Sequence, residues 1–117
     1  MEMPRPTFVY RHTRLGILTE QAAELVDLTD GLGSLLIDSS MRTGYLNIQS
    51  LHAATGIVVV AARPTTHPDC VGMAPGACVP ISDGRLQLGD AERVFLVERD
   101  GPAAREIAVV IAGEAWR

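Results

Sequence analysis

The side chains able to move protons, hold phosphate or bind metal fall in a few short stretches of this sequence. His52 closes the run Asn47-Ile48-Gln49-Ser50-Leu51 and is followed by the small residues Ala53 and Ala54. A histidine so placed works either as a pocket group, general acid or ligand, or as a structural residue satisfied by its neighbours. Thr55 is the hydroxyl that remains beside it; nothing in the sequence places a second base or an orienting acid there, so a Ser/His/Asp nucleophile set is not indicated. Arg85 follows the turn Ser82-Asp83-Gly84, and Arg105 comes soon after Gly101-Pro102. Both suit phosphate, because the planar guanidinium donates two hydrogen bonds at once, and both read equally as surface or ion-paired arginines. Asp83 belongs to its turn or to the same phosphate site. His67, Asp69 and Cys70 lie together, with Cys78 further on. His-x-x-Cys is one ligand pair, whereas a closed structural zinc site takes four ligands, so this stretch is a Zn or Mg site or a solvated turn.

The elements that position these groups are mostly strands. Thr7–Arg11 is β-branched and aromatic and reads as a first strand, with Leu15–Leu18 as its hairpin partner. Glu20–Val26 is ambiguous between helix and strand. Thr29 and Asp30 are candidate N-caps of a helix in which Leu32, Leu35, Leu36 and Ser39 repeat at helical spacing, ending near Ser40. From Thr43 onward the pattern is β. Leu46, Ile48 and Ser50 fall on one face and Asn47, Gln49 and Leu51 on the other. Gly56–Ala62 is a Val-rich run, as in a strand covered on both faces. Arg63–Gly76 reads as loop, Ala77–Ile81, Arg93–Glu98 and Ile107–Ala112 as strands, and Asp83-Gly84 as a tight hairpin turn. Strands, one or two helices, then antiparallel strands on short turns make an α+β fold with an antiparallel sheet or sandwich. Neither the strand–helix alternation of a doubly wound nucleotide fold nor a glycine-rich phosphate loop is present.

The bulk numbers set the frame. The 117 residues suffice for one domain spanning 1–117, and 47% hydrophobic content suffices for a core. Net charge is −4, and all ten basic residues are arginine, scattered without a stripe or cluster, which argues against nucleic acid and membrane surfaces as partners. No apolar run reaches the ~20 residues of a membrane helix, and no secretory leader is recognisable, so the expected location is the cytoplasm. There the two cysteines are expected as reduced thiols, their pairing left open.

The stretch Gly44–Ile57, GYLNIQSLHAATGI, resembles the central strand pair of the YjbQ-like family, also called secondary thiamine-phosphate synthases. Asp83-Gly84-Arg85-Leu86-Gln87-Leu88-Gly89 is similar to that family's signature turn and strand, and Arg93–Glu98, Asp100-Gly101-Pro102, Arg105 and Gly113-Glu114 continue the match in order. Val26–Asp30 resembles the entry to the family helix. The resemblance implies an α+β sandwich assembled as a homo-oligomer, a trimer by preference. It also implies a pocket at a subunit boundary for a small phosphorylated ligand. The implied chemistry joins a pyrimidine diphosphate to a thiazole phosphate with release of diphosphate, for which arginines and Mg²⁺ would stabilise the departing charge. His52 and Thr55 would be the catalytic residues, and Arg85, Arg105 and Asp83 the phosphate contacts.

This sequence departs from the family pattern at several points. Ala53 and Ala54 stand where hydroxyl residues are usual, Val60 and Ala61 where Asn-Glu is usual, Ala91-Glu92 for Trp-Gln, and Ala103 for Arg. A longer helical and loop segment shrinks to Arg63–Gly76. Two functions are therefore expected as alternatives: a transferase of the family type, or a relative with a stripped pocket acting as a binding or structural subunit. Loss of the covering segment would expose apolar surface, with Val58–Val60 at a subunit contact or under a neighbouring element.

Overall fold

Alternating apolar and polar side chains turn most of the chain into strands. The computed structural model describes residues 8–63 and 66–116. In chain order these form β1 (Phe8–Leu18), β2 (Glu24–Asp27), α1 (Thr29–Asp38), β3 (Met41–Ser50), β4 (Thr55–Ala61), a 3-10 turn (Pro68–Cys70), β5 (Gly76–Ser82), β6 (Arg85–Leu86), β7 (Glu92–Glu98) and β8 (Ala104–Ala115). All strand pairings are antiparallel, in a five-stranded sheet of order β1-β8-β3-β5-β6 and a three-stranded sheet of order β2-β7-β4. The α+β sandwich expected from the sequence is the fold observed.

Leu46 and Ile48 of β3, Val79 and Ile81 of β5, and Ile107, Val109 and Ile111 of β8 face inward from the larger sheet. They meet Ile57 of β4, Val94 and Leu96 of β7, and Leu32 and Leu36 of α1. Burial of such side chains, at roughly 1.5–3 kcal/mol each, is the main favourable term holding the layers together.

Three local expectations are corrected and one left open is resolved. Leu15–Leu18 is not a hairpin partner: β1 runs unbroken through His12-Thr13-Arg14, paired along its whole length with β8 from Phe8↔Glu114 to Leu18↔Ala104. The start of that expected strand, Thr7, lies outside the described residues. Of the ambiguous Glu20–Val26, the part from Glu24 onward forms β2, an edge strand on β7. Thr29 and Asp30 do not cap α1, whose N-cap is Leu28. The Thr29 hydroxyl instead accepts the N–H of Val94, and Asp30 joins Asp27 on the Arg93 guanidinium, at 3.0 and 2.8 Å. Burial would raise the Asp27 carboxyl, but the hydrogen bonds from Arg93 and the Thr29 N–H hold it below its ordinary value. Finally, β4 is not covered on both faces. It is the edge of the smaller sheet, buried from Thr55 to Ile57 and half-buried from Val58 to Ala61.

Asp83-Gly84 makes the turn read from the sequence: Ser82 faces Arg85 across two residues with φ of 52° and 72°, the left-handed pair that a two-residue hairpin requires. Among the described residues no helix is long and apolar enough to cross a membrane.

Candidate functional site

His52 sits in the tight connection between β3 and β4. The turn closes through the Thr55 N–H, which donates to the His52 carbonyl at 3.2 Å. It is pinned beneath by two buried hydroxyls in hydrogen-bond contact with each other, Ser50 and Thr55. The Thr55 hydroxyl also reaches the His52 carbonyl at 3.2 Å. Thr55 is thus a turn-locking residue, about 5% exposed, and its oxygen is not presented as a nucleophile. Ser50, Leu51, His52, Ala53 and Thr55 line one side of a cleft of about 390 Å³, and Met73, Ala74 and Pro75 line the other. The second wall is held by β4, since the Ile57 N–H donates to the Ala74 carbonyl at 2.7 Å and the Ala74 N–H returns the bond at 3.1 Å.

The imidazole of His52 has a defined partner. Its Nε2 accepts the main-chain N–H of Glu106 on β8 at 3.0 Å. That part of β8 is fixed in turn by Arg105 next door. The Arg105 guanidinium donates to both oxygens of Glu98, at 2.8 and 3.0 Å, and to the Asp100 carbonyl at 3.1 Å. Glu98 has no solvent exposure. Its carboxylate also accepts the Thr19 hydroxyl at 2.7 Å and the N–H groups of Arg99 and Asp100. Burial would raise its pKa, yet the bonds from Arg105, Thr19 and Asp100 outweigh burial and lower it to about 2. The Arg105 guanidinium is raised by the same carboxylate. This geometry makes Arg105 the counterion of a buried acid, the ion-paired one of the two readings its sequence position offered.

Arg85 and Asp83 are elsewhere. The Gly84 N–H donates to the carbonyl of Arg42 at 2.8 Å, which sets their turn beside the start of β3. His52 follows the end of β3, and at about 3.3 Å per residue the intervening ten residues separate the two places by roughly 30 Å. Arg85 is exposed, and it forms no ion pair among the described residues. His67 and Asp69 form a local cap: His67 Nδ1 accepts the Asp69 N–H at 3.2 Å, and both side chains are largely exposed. Among the described residues no group of three or more His, Cys, Asp or Glu side chains is placed to hold a metal ion. Cys78 is exposed on β5, and the side chain of Cys70 lies outside the described ones.

The family model of UPF0047 YjbQ-like proteins matches residues 63–114, from just after β4 nearly to the end of β8. A UPF0047 protein of Methanothermobacter thermautotrophicus is 25% identical over 129 positions, covering 86% of this chain and 90% of the relative. The fold agrees throughout: a YbjQ-like protein of unknown function from Sulfolobus solfataricus superimposes with a TM-score of 0.83 at 22% identity, over 92% of this chain and all of the other. This chain is similar to YjbQ-like proteins, in sequence over residues 63–114 and in fold over most of its length. A hypothetical protein of Aeropyrum pernix has the same fold, with a TM-score of 0.79 at 20% identity, over 88% of this chain and 98% of its own. The archaeal alignment runs over 129 positions although this chain has 117 residues in all, so the relative carries residues that this chain lacks.

Sequence reasoning missed Glu98 and Arg99. Glu98 had a signal: it falls in phase with Val94 and Leu96 on the inward face of β7, so the alternation itself places an acid in the core and calls for a cation. Arg99, whose guanidinium donates to the carbonyls of Val71 at 2.9 Å and Pro68 at 3.4 Å, anchors the loop that leads to the far wall, and nothing local in the sequence announces it.

Proposed function

We propose that this chain is a YjbQ-like binding or structural subunit that takes a small ligand in the His52 cleft and is not a self-sufficient transferase. The observation that carries this reading is the engagement of Arg105 with Glu98. A transferase that expels diphosphate needs free cations around the departing charge. Near His52, the guanidinium of Arg105 already faces a buried carboxylate, and Arg99 holds two loop carbonyls. Ala53 and Ala54 add no polar side chains, and the Thr55 hydroxyl is locked in the turn. A homo-oligomer, with a trimer favoured, is part of the same proposal.

The transferase reading stays as the second one because His52 lines the cleft and an oligomer could bring Arg85 and Asp83 of one copy to His52 of another. The two readings separate in an assay of diphosphate release with Mg²⁺, a thiazole phosphate and a pyrimidine diphosphate. The binding reading expects no turnover above a His52→Ala control. Turnover that is lost in His52→Ala and in Arg85→Ala, and regained on mixing and reassembling the two variants, would establish a transferase with its site shared between copies.

A further inference from the structure

We propose that the main-chain N–H of Glu106 fixes His52 as the neutral tautomer with its proton on Nδ1, so that the ring meets a cleft ligand as a hydrogen-bond donor. The inference rests on the His52 cleft being the ligand site and adds the chemical class it selects: a ligand that presents an acceptor oxygen, such as a carboxylate, phosphoryl or carbonyl group.

A main-chain N–H can only donate, so the nitrogen that receives it must carry a lone pair. That nitrogen is His52 Nε2, at 3.0 Å from the Glu106 nitrogen. A neutral imidazole has one bare and one protonated nitrogen, and the proton is therefore on Nδ1. Nδ1 has no hydrogen-bond partner among the described residues and is left for a ligand or solvent. The lone pair that would make His52 a base is occupied, and what remains is a donor. The turn adds to this character. The N–H groups of Ala53 and Ala54 find no acceptor among the described residues, and Ala53 lines the same cleft. No side-chain carboxylate lines this cleft, so an acceptor oxygen meets no like charge on its walls.

Glu106 acts here through its backbone, and Glu98 with Arg105 are positioning residues: their pairing sets the start of β8 and thus where the Glu106 N–H points. The ring also has a register partner, since the Leu51 N–H donates to the Glu106 carbonyl at 3.2 Å. The turn and β8 are thus tied on both sides of the imidazole.

The test is ¹⁵N nuclear magnetic resonance of the histidine-labelled full chain, followed by titration with inorganic phosphate and, separately, acetate. The expected result is a protonated Nδ1 and a bare Nε2 that correlates with the Glu106 amide across the hydrogen bond. A proton on Nε2 would overturn the inference whatever the cleft binds. In the titration the Nδ1–H resonance should move. A tautomer as described with no response to either anion would leave the assignment of the ring standing and overturn the ligand-binding reading. Two variants sharpen the ligand class. His52→Asn places an amide near Nδ1 and should keep anion binding, whereas His52→Gln keeps an acceptor toward Glu106 but withdraws the donor from the cleft. It should weaken binding by about tenfold, the loss of one hydrogen bond to a charged group. Equal affinity of the two variants would overturn the donor role.

Discussion

Arg105 and Glu98 decide how the site must be read, and their energetics are testable. Glu98 is lowered to about 2 from an ordinary 4.5. The folded-state pKa lies below the unfolded one, so the pair's contribution is complete above about pH 4.5 and is lost as pH falls through about 2. Denaturant midpoints measured down that range should fall steadily, and an Arg105→Ala variant should show a much weaker dependence. Arg105→Ala leaves a buried carboxylate without its counterion, which costs about 3–5 kcal/mol. A loss below about 1 kcal/mol, the range of an exposed pair, would show that the pair is solvated in solution. At this scale the sequence was half legible. It offered Arg105 as a cation worth naming but not its partner. The Thr19 hydroxyl, the carboxylate of Glu98 and the turn amides beside it come together only when β1, β7 and β8 are assembled, because 79 residues separate Thr19 from Glu98. His52 was legible because a strand end followed by small residues is a local signal, whereas the bond that fixes its ring comes from 54 residues away.

Between elements, the tightest constraint is the crossing of β3 and β8. Gly44 and Gly113 are register partners. A methyl on Gly44 would stand 2.0 Å from the Ala112 carbonyl oxygen, and one on Gly113 would stand 2.1 Å from that of Thr43. Both contacts are to backbone, which cannot swing aside. Their φ values of 156° and 151° add strain for any side chain. Gly44→Ala or Gly113→Ala is expected to cost more than about 4 kcal/mol, the range of severe single changes. Gly16→Ala, on a β1 position with open space around it, should be nearly neutral. Thermal melts of the three variants check the contrast, and similar losses in all three would contradict the close approach. Why some elements were readable and others were not follows from the same physics. The Asp83-Gly84 hairpin and the in–out alternation of Leu46, Ile48 and Ser50 depend on neighbours in sequence. The continuity of β1 depends on its pairing with β8, nearly the whole chain away, so two short apolar runs with three polar residues between them looked like a hairpin. Similarly, the Val-rich β4 looked like a strand covered on both faces, and only the assembled layers leave Val58–Ala61 half-buried.

For the molecule as a whole, the outer face of the five-stranded sheet raises the question of what covers it. Tyr10 of β1, Ala112 of β8, Tyr45 of β3 and Pro80 of β5 form one row across four strands, with Ala112 fully buried between the two tyrosines. Tyr10 is 62% exposed and Tyr45 45%, and Phe8, two residues from Tyr10 on the same face, is 70% exposed. The next row is His12, Val110, Asn47 and Cys78, so the surface remains weakly charged toward the middle of the sheet. An apolar sheet face with three exposed aromatic rings favours association, since aromatic residues carry much of the energy of protein interfaces. The sequence pointed instead to Val58–Val60, either at a subunit contact or under a neighbouring element. In the fold Val59 packs against the core, and Val58 and Val60 are half-buried on the other sheet. The homo-oligomer proposed above is therefore expected to use the Tyr10–Tyr45 face. Sedimentation of the wild-type chain at micromolar concentration should show an oligomer. Tyr10→Glu with Tyr45→Glu should shift it to a folded monomer, because two carboxylates per copy would be brought into a closed apolar contact. Val58→Glu should leave the oligomer intact. A wild-type monomer would remove the oligomer and, with it, any transferase site shared between copies, and dissociation by Val58→Glu alone would move the contact to the β4 edge.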